Sequence, residues 1–245
     1  MSNTQSVVPV PVSDLPHWRV VYRPKAFEPE RIDSLRRCLD LVENNAVSLR
    51  GWDFPHLGEA RRELRFGESW VESWVDFMSH LEFWRMYQSG QFLYLGAVRE
   101  MRDQEWHGQL MRAATDHLRR VLGVDVTAVV GCFSVTNFVY TVSEHFEFAA
   151  RLCQAGIYPE GVDLTIQLKK AQGIGLSADF GRAWYNDIAT SELGKTWSFE
   201  SGALVSTVAD ASLQAIKWFF ERLGWPNASL SALRSEQEKL FQGRR

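Results

Sequence analysis

The feature that most constrains the fold is a pair of aromatic-rich runs, Leu81 to Gln88 and Gln91 to Val98, separated only by Ser89-Gly90. A two-residue turn of this kind needs positive φ, which glycine supplies without a Cβ clash, so the two runs read as a β-hairpin. Trp70 to Phe77, rich in Trp and Val, then reads as the preceding strand of an antiparallel meander. Trp70, Trp74, Phe77, Leu81 and Trp84 also fit a helical spacing, so periodicity alone leaves open whether residues 69–98 are wholly β.

On either side of this segment the pattern alternates between the two periods. Trp18 to Arg23 alternates and is halted by Pro24, which suggests a short strand near a sheet edge. Pro29-Glu30 opens an amphipathic helix carrying Ile32, Leu35, Leu39 and Val42, and Asn44-Asn45 closes it. Val47 to Arg50 is short and β-like. Residues 124–133 read either as a buried strand or as the first turns of the next helix, with Gly131 as a break. Val135, Phe138, Val142, Phe146, Ala149 and Leu152 mark a long helix to about Ala155, stopped by Gly156 and Pro159.

Val162 to Leu168 reads as a strand, and Gly173-Ile174-Gly175 as a loop or bulge. Two helices, Val205 to Leu223 and Leu230 to Phe241, are divided by the breaker Gly224-Trp225-Pro226. The expected fold class is α+β: an antiparallel β-meander sheet packed by several α-helices on one face, as a single compact domain. Residues 1–17 read as an extended leader with little to pack, 18–241 as the domain and 242–245 as a tail.

A chain of 245 residues with 45% apolar content can bury one sizeable core. Lysine and arginine number 27 against 30 aspartates and glutamates, a net charge of -3, which disfavours general nucleic-acid binding through phosphate neutralisation. Cys38, Cys132 and Cys153 are odd in number, widely spaced and set in apolar sequence, the usage of buried thiols in a reducing compartment. There is no basic-apolar signal at the N-terminus and no apolar run of about 18 residues, so a cytoplasmic protein without membrane contact is expected. Asn227-Ala228-Ser229 matches a glycosylation sequon only by chance in that setting.

Ten tryptophans stand out, and Trp52 has the most mixed surroundings, Arg50-Gly51-Trp52-Asp53-Phe54-Pro55-His56. Within seven residues the phrase offers a guanidinium for an anion, an indole for stacking, and a carboxylate and imidazole for hydrogen bonds. The hairpin tip, with Tyr87 and Gln91, is expected beside it, Arg85 and Arg99 adding positive charge. Glu144 on the long helix is a further candidate, with His145 as an acid/base alternative. The candidate ligand-binding residues are therefore Arg50, Trp52, Asp53, His56, Tyr87, Gln91 and Glu144. A purely structural reading pairs Arg50 with Asp53, plugs the core with Trp52 and Phe54, and has His56 cap a helix. Glu147 and Arg151 have the spacing of a helical ion pair.

Defining catalytic motifs are absent. His-Glu-x-x-His, Gly-x-Ser-x-Gly and the phosphate-binding Gly-x-x-x-x-Gly-Lys-Ser/Thr do not occur, and Gly173-x-Gly175 lacks a third glycine. Asp163, Gln167 and Lys169 echo a metal-dependent nuclease pattern, but Gln167 stands where the second carboxylate is needed. No metal ligand set and no cofactor is assigned. Trp106-His107 and Asp116-His117 read as surface helix residues.

Three phrases, Arg50 to His56, Trp84 to Phe92 and Glu144 to Leu152, resemble an uncharacterised bacterial domain associated with Schlafen-like AlbA proteins and ATP-binding proteins of the antiviral-defence type. The resemblance implies an accessory or sensing role and brings no catalytic residue with it. The expected function is a non-enzymatic domain that binds a small polar ligand or a partner protein. The alternatives are a metal-dependent hydrolase using Glu144, His145, Asp53 or His56, and a structural subunit of a homo-oligomer that buries the Trp-rich strands.

Overall fold

A computed structural model of the chain describes residues 10–57, 64–123, 125–178, 182–188 and 190–242. Its main sheet comprises β1 (His17–Pro24), β2 (Arg65–Phe66), β3 (Trp70–Phe77), β4 (His80–Tyr87), β5 (Phe92–Ala97), β7 (Val162–Lys169) and β10 (Glu192–Phe199). The seven strands run in the order β10-β7-β1-β5-β4-β3-β2, every pair antiparallel. A second sheet of three strands joins β6 (Gly131–Ser134), β8 (Ile174–Ala178) and β9 (Arg182–Trp184), with β6 parallel to β8. The helices are α1 (Val10–Asp14), α2 (Leu35–Asn45), α3 (Arg99–Arg102), α4 (Gln104–Arg120), α5 (Val135–Gln154), α6 (Ala203–Arg222) and α7 (Leu230–Gln242).

The hairpin forms, but its loop has three residues, Gln88 to Gly90, rather than the expected two: the Tyr87 amide donates to the Gln91 carbonyl at 2.9 Å, the Gly90 amide donates to the Tyr87 carbonyl at 2.9 Å, and Gly90 supplies the positive φ, +81°. Residues Trp70 to Ala97 are therefore a β-meander, and the helical spacing of their aromatics is incidental. β1 is not an edge strand. It is central, paired with β5 on one side and β7 on the other, and Pro24 is tolerated because it is the last residue of the strand.

Strand alternation divides the two faces. Trp18, Val20 and Tyr22 of β1 and Val162, Leu164, Ile166 and Leu168 of β7 enter the main core. There Phe138 of α5 meets Trp18 at 4.9 Å, Phe148 meets Tyr22 and Phe92, and Phe219 of α6 meets Trp18 at 5.8 Å. The opposite face is polar along β7, where Thr165 bonds Thr196 and Gln167 accepts from Arg19 at 2.6 Å. The sequence places helices on one face only, but α1 covers part of this second face: Val12 is fully buried against Leu81, Phe83, Leu95 and Ala97. Part of the leader is thus ordered and packed. Residues 1–9 of it lie outside the described residues, as do 243–245 of the tail.

Other boundaries moved for local reasons. α2 begins at Leu35, because the Ser34 hydroxyl accepts from the Arg37 amide at 3.2 Å and caps the helix there. Gly131 opens β6 rather than breaking a helix, and Gly175 lies inside β8, where a Cβ would meet the Trp184 carbonyl at 2.6 Å. Trp106, His107, Asp116 and His117 do lie on α4, with Trp106 and both histidines half-buried. Cys38 and Cys132 are buried free thiols, whereas Cys153 is only half-buried. Among the described residues no helix is long and apolar enough to cross a membrane.

Candidate functional site

The Arg50 phrase leaves α2 through an isolated bridge in which Val47 and Phe54 exchange both backbone hydrogen bonds, 2.7 and 2.9 Å. Gly51, at φ +78°, turns the chain between them, and Phe54 plugs the core at 5% exposure. Arg50 is thereby aimed at α5. Its Nε donates to Glu144 Oε1 at 2.9 Å, Nη1 to Asn137 Oδ1 at 2.5 Å, and Nη2 to Glu144 Oε2 at 2.6 Å and Thr141 Oγ1 at 3.1 Å. The expected Arg50–Asp53 pair does not form; the Asp53 carboxylate accepts from Ser48 instead.

Trp52 is half-buried rather than a core plug. Its ring stacks between His56 at 3.7 Å and His80 at 3.5 Å, and its Nε1 donates to Glu82 Oε1 at 2.9 Å. His56 therefore packs on an indole. Glu82 faces inward from β4 and is 4% exposed. Burial opposes its ionisation, but the hydrogen bond with His80 and the charge of Arg99 hold its carboxyl below the usual range. Burial raises the Glu144 carboxyl, and the facing Arg50 guanidinium opposes that rise.

Tyr87 and Gln91 do not join this cluster. β4 runs from His80, beside Trp52, to Tyr87, so at about 3.3 Å per residue the hairpin tip lies about 23 Å away. Tyr87 also faces the other side of the sheet, where Arg85 donates to its hydroxyl at 3.0 Å, pairs with Glu72, and lies 4.4 Å from the Trp70 ring. Arg99, expected at the tip, sits in the Arg50 cluster instead. His80, Glu82, Asn137 and Thr141 were not anticipated. Glu82 had one available signal, a carboxylate on the inward phase of an apolar strand.

The space inside the cluster is about 20 Å³, bounded by Arg50, Glu82, Tyr94, Arg99 and Glu144. That is room for about one water molecule, so Arg50 is spent on internal partners rather than on a ligand. His145 is fully buried among Trp18, Phe54 and Tyr94, with neither ring nitrogen hydrogen-bonded, and burial drives its pKa down to about 3. Glu147 pairs with Arg151 at 3.1 Å, as its spacing predicts. Among the described residues no three His, Cys, Asp or Glu side chains are grouped to hold a metal ion.

A larger cavity, about 540 Å³, lies on the other side of the first turn of α5. It sits beyond the carboxyl ends of the parallel strands β6 and β8, the usual place for ligands in such pairs. Ser134 lines it from the end of β6, Thr136 from α5, Ser177 and Ala178 from β8, Arg182 and Trp184 from β9, Trp225 from the α6–α7 corner, and Leu233 and Glu236 from α7. Trp184 and Trp225 stack at 3.9 Å and 9°, and Phe220 continues the stack. The two cavities share a wall. Glu100 accepts from the Ser134 amide at 3.0 Å and Arg50 from below holds Asn137, so the buried network fixes the turn that lines the larger cavity. The chain matches no protein-family model, and no curated protein or solved structure matches it.

Proposed function

We propose that the protein is a small-molecule-binding domain, and that its ligand enters the cavity between the first turn of α5, the ends of β8 and β9, and α7. The observation that carries this reading is the cavity itself. Its volume of about 540 Å³ is in the range of small-molecule sites, and it combines apolar walls with a few convergent polar groups. The Arg50 cluster then has a supporting role: it holds Asn137 and, with Glu100, sets the first turn of α5 against the pocket.

The test is a fluorescence titration with the neutral apolar probe N-phenylnaphthylamine. Ala232 is an exposed residue on the rim, so Ala232→Trp fills the entrance without disturbing the core. The wild-type chain is expected to bind the probe at one site and the Ala232→Trp chain to bind it at least tenfold more weakly, on the order of 1.4 kcal/mol. Equal binding by the two chains refutes the assignment of the cavity.

A further inference from the structure

We propose that the small cavity of the Arg50 cluster binds one water molecule and one proton, the proton carried on Glu100 Oε2 and the water bridging that atom to Glu82 Oε2. Glu82 is 4% exposed and Glu100 1%, and both line the cavity. Among the described residues Glu82 Oε2 and Glu100 Oε2 are the only buried carboxylate oxygens without a hydrogen-bond partner. An unbonded buried carboxylate oxygen is costly. The space between these side chains, about 20 Å³, is the size of one water, and a water held there needs two or more polar partners.

The balance of charge assigns the proton. Three carboxylates, Glu82, Glu100 and Glu144, meet two guanidiniums, Arg50 and Arg99, around the cavity, which leaves one negative charge in excess. The nearby imidazoles do not offset it, because burial lowers the pKa of both His80 and His145. The Tyr94 hydroxyl, raised well above its usual range by burial, adds no charge. Glu144 is gripped at both oxygens by Arg50, and Glu82 accepts from Trp52 and faces Arg99 at 3.9 Å, so these two stay ionised. Glu100 makes no ion pair among the described residues, and its Oε1 accepts from the Ser134 amide at 3.0 Å. Burial raises its carboxyl above the ordinary 4.5, against the pull of the surrounding amides and of Arg50. With the acid O–H donating to the water and the water to Glu82 Oε2, the hydrogen bonds run unbroken from the Trp52 indole to Ser134, the N-cap of α5.

Glu100→Gln keeps the shape and the donor of the protonated acid but cannot ionise. Above about pH 4.5 the unfolded carboxyl is charged, so wild-type folding takes a proton from solvent, and its stability falls relative to the variant as pH rises toward the raised folded value. The histidines titrate alike in both chains and cancel from the comparison. Glu100→Gln is therefore expected to have a higher urea midpoint than wild type at about pH 6 and an equal one at about pH 4. An equal or lower midpoint at the higher pH shows Glu100 ionised at no cost in the fold and overturns the proposal. Infrared spectra at the higher pH are expected to show a protonated-carboxyl C=O band in wild type that Glu100→Gln lacks; a band common to both chains places the proton elsewhere and overturns it. Potassium or ammonium ions that raise the wild-type midpoint but not that of Glu100→Gln also overturn it, by showing a cation where the proton is assigned. A high-resolution crystal structure is expected to show one water bonded to Glu82 Oε2 and Glu100 Oε2, and direct contact between the two oxygens overturns the bridge.

Discussion

The guanidinium of Arg50 grips the carboxylate of Glu144 in a two-point fork, Nε to Oε1 at 2.9 Å and Nη2 to Oε2 at 2.6 Å, across 94 residues of chain. Glu144 is 2% exposed and Arg50 14%, so the pair is desolvated and geometrically specific. It ties the loop after α2 to the middle of α5, and through Asn137 it reaches the turn that lines the larger cavity.

Removing one partner of such a pair leaves a buried charge uncompensated. Arg50→Met is expected to destabilise the fold by about 3–5 kcal/mol, whereas Arg50→Met with Glu144→Leu recovers most of that loss. Urea unfolding at pH 7 measures both, and an Arg50→Met shift of about 1 kcal/mol or less would show the pair to be solvent-screened.

His145 sets a pH dependence. Burial lowers its pKa to about 3, below the ordinary 6.5, so the folded chain holds it neutral while the unfolded chain takes up a proton. The stability it contributes is complete above about pH 6.5 and is lost as pH falls toward 3, at a slope of about 1.4 kcal/mol per unit. His17 and His80, also lowered chiefly by burial, act in the same direction. His145→Leu is expected to flatten the loss between pH 6.5 and 4.5 in urea midpoints; an unchanged slope would mean that the ring is protonated in the fold.

Gly224 holds the corner between α6 and α7 at φ +99°, and a Cβ there would meet the Tyr185 backbone at 2.5 Å. Gly224→Ala is expected to cost at least about 1–2 kcal/mol from the left-handed conformation alone. Because the next residue is Trp225, the variant is also expected to alter the near-ultraviolet circular dichroism of the Trp184–Trp225 stack. Wild-type stability and spectrum together would show that the corner adapts freely.

Phe138 is 1% exposed and touches Trp18, Phe133, Phe219 and Phe220 at 4.9 to 5.6 Å. It joins β1, β6 and α6 to α5. Phe138→Ala is expected to lower stability by about 3–5 kcal/mol in thermal or urea unfolding, and a loss below about 1 kcal/mol would show that the core closes over the deletion.

Elements governed by neighbouring residues were legible before the fold was known. Gly90 marked its hairpin because the closing position of the turn needs positive φ, although the loop proved one residue longer than Ser89-Gly90, and α5 followed from apolar residues at helical steps closed by Gly156. β10 and the β8–β9 pair escaped notice because their stability comes from partners. The burial pattern of β10 contains little apolar signal, and it is a strand because Glu192 to Phe199 pair with Lys169 to Val162. β1 read as an edge strand for the same reason: its neighbours on both sides are distant in sequence.

The sequence by itself determined the α+β class, the meander and the presence of a chemically mixed loop around Trp52, since turn geometry and side-chain period act over a few residues. Only the tertiary structure decided what that loop does. Arg50 has its partners on α5, Tyr87 and Gln91 lie at the far end and Tyr87 on the other face of the sheet, and the large cavity is assembled from segments between Ser134 and Glu236. Contacts made across such separations depend on where the sheet and helices place their faces, which no local pattern of residues specifies.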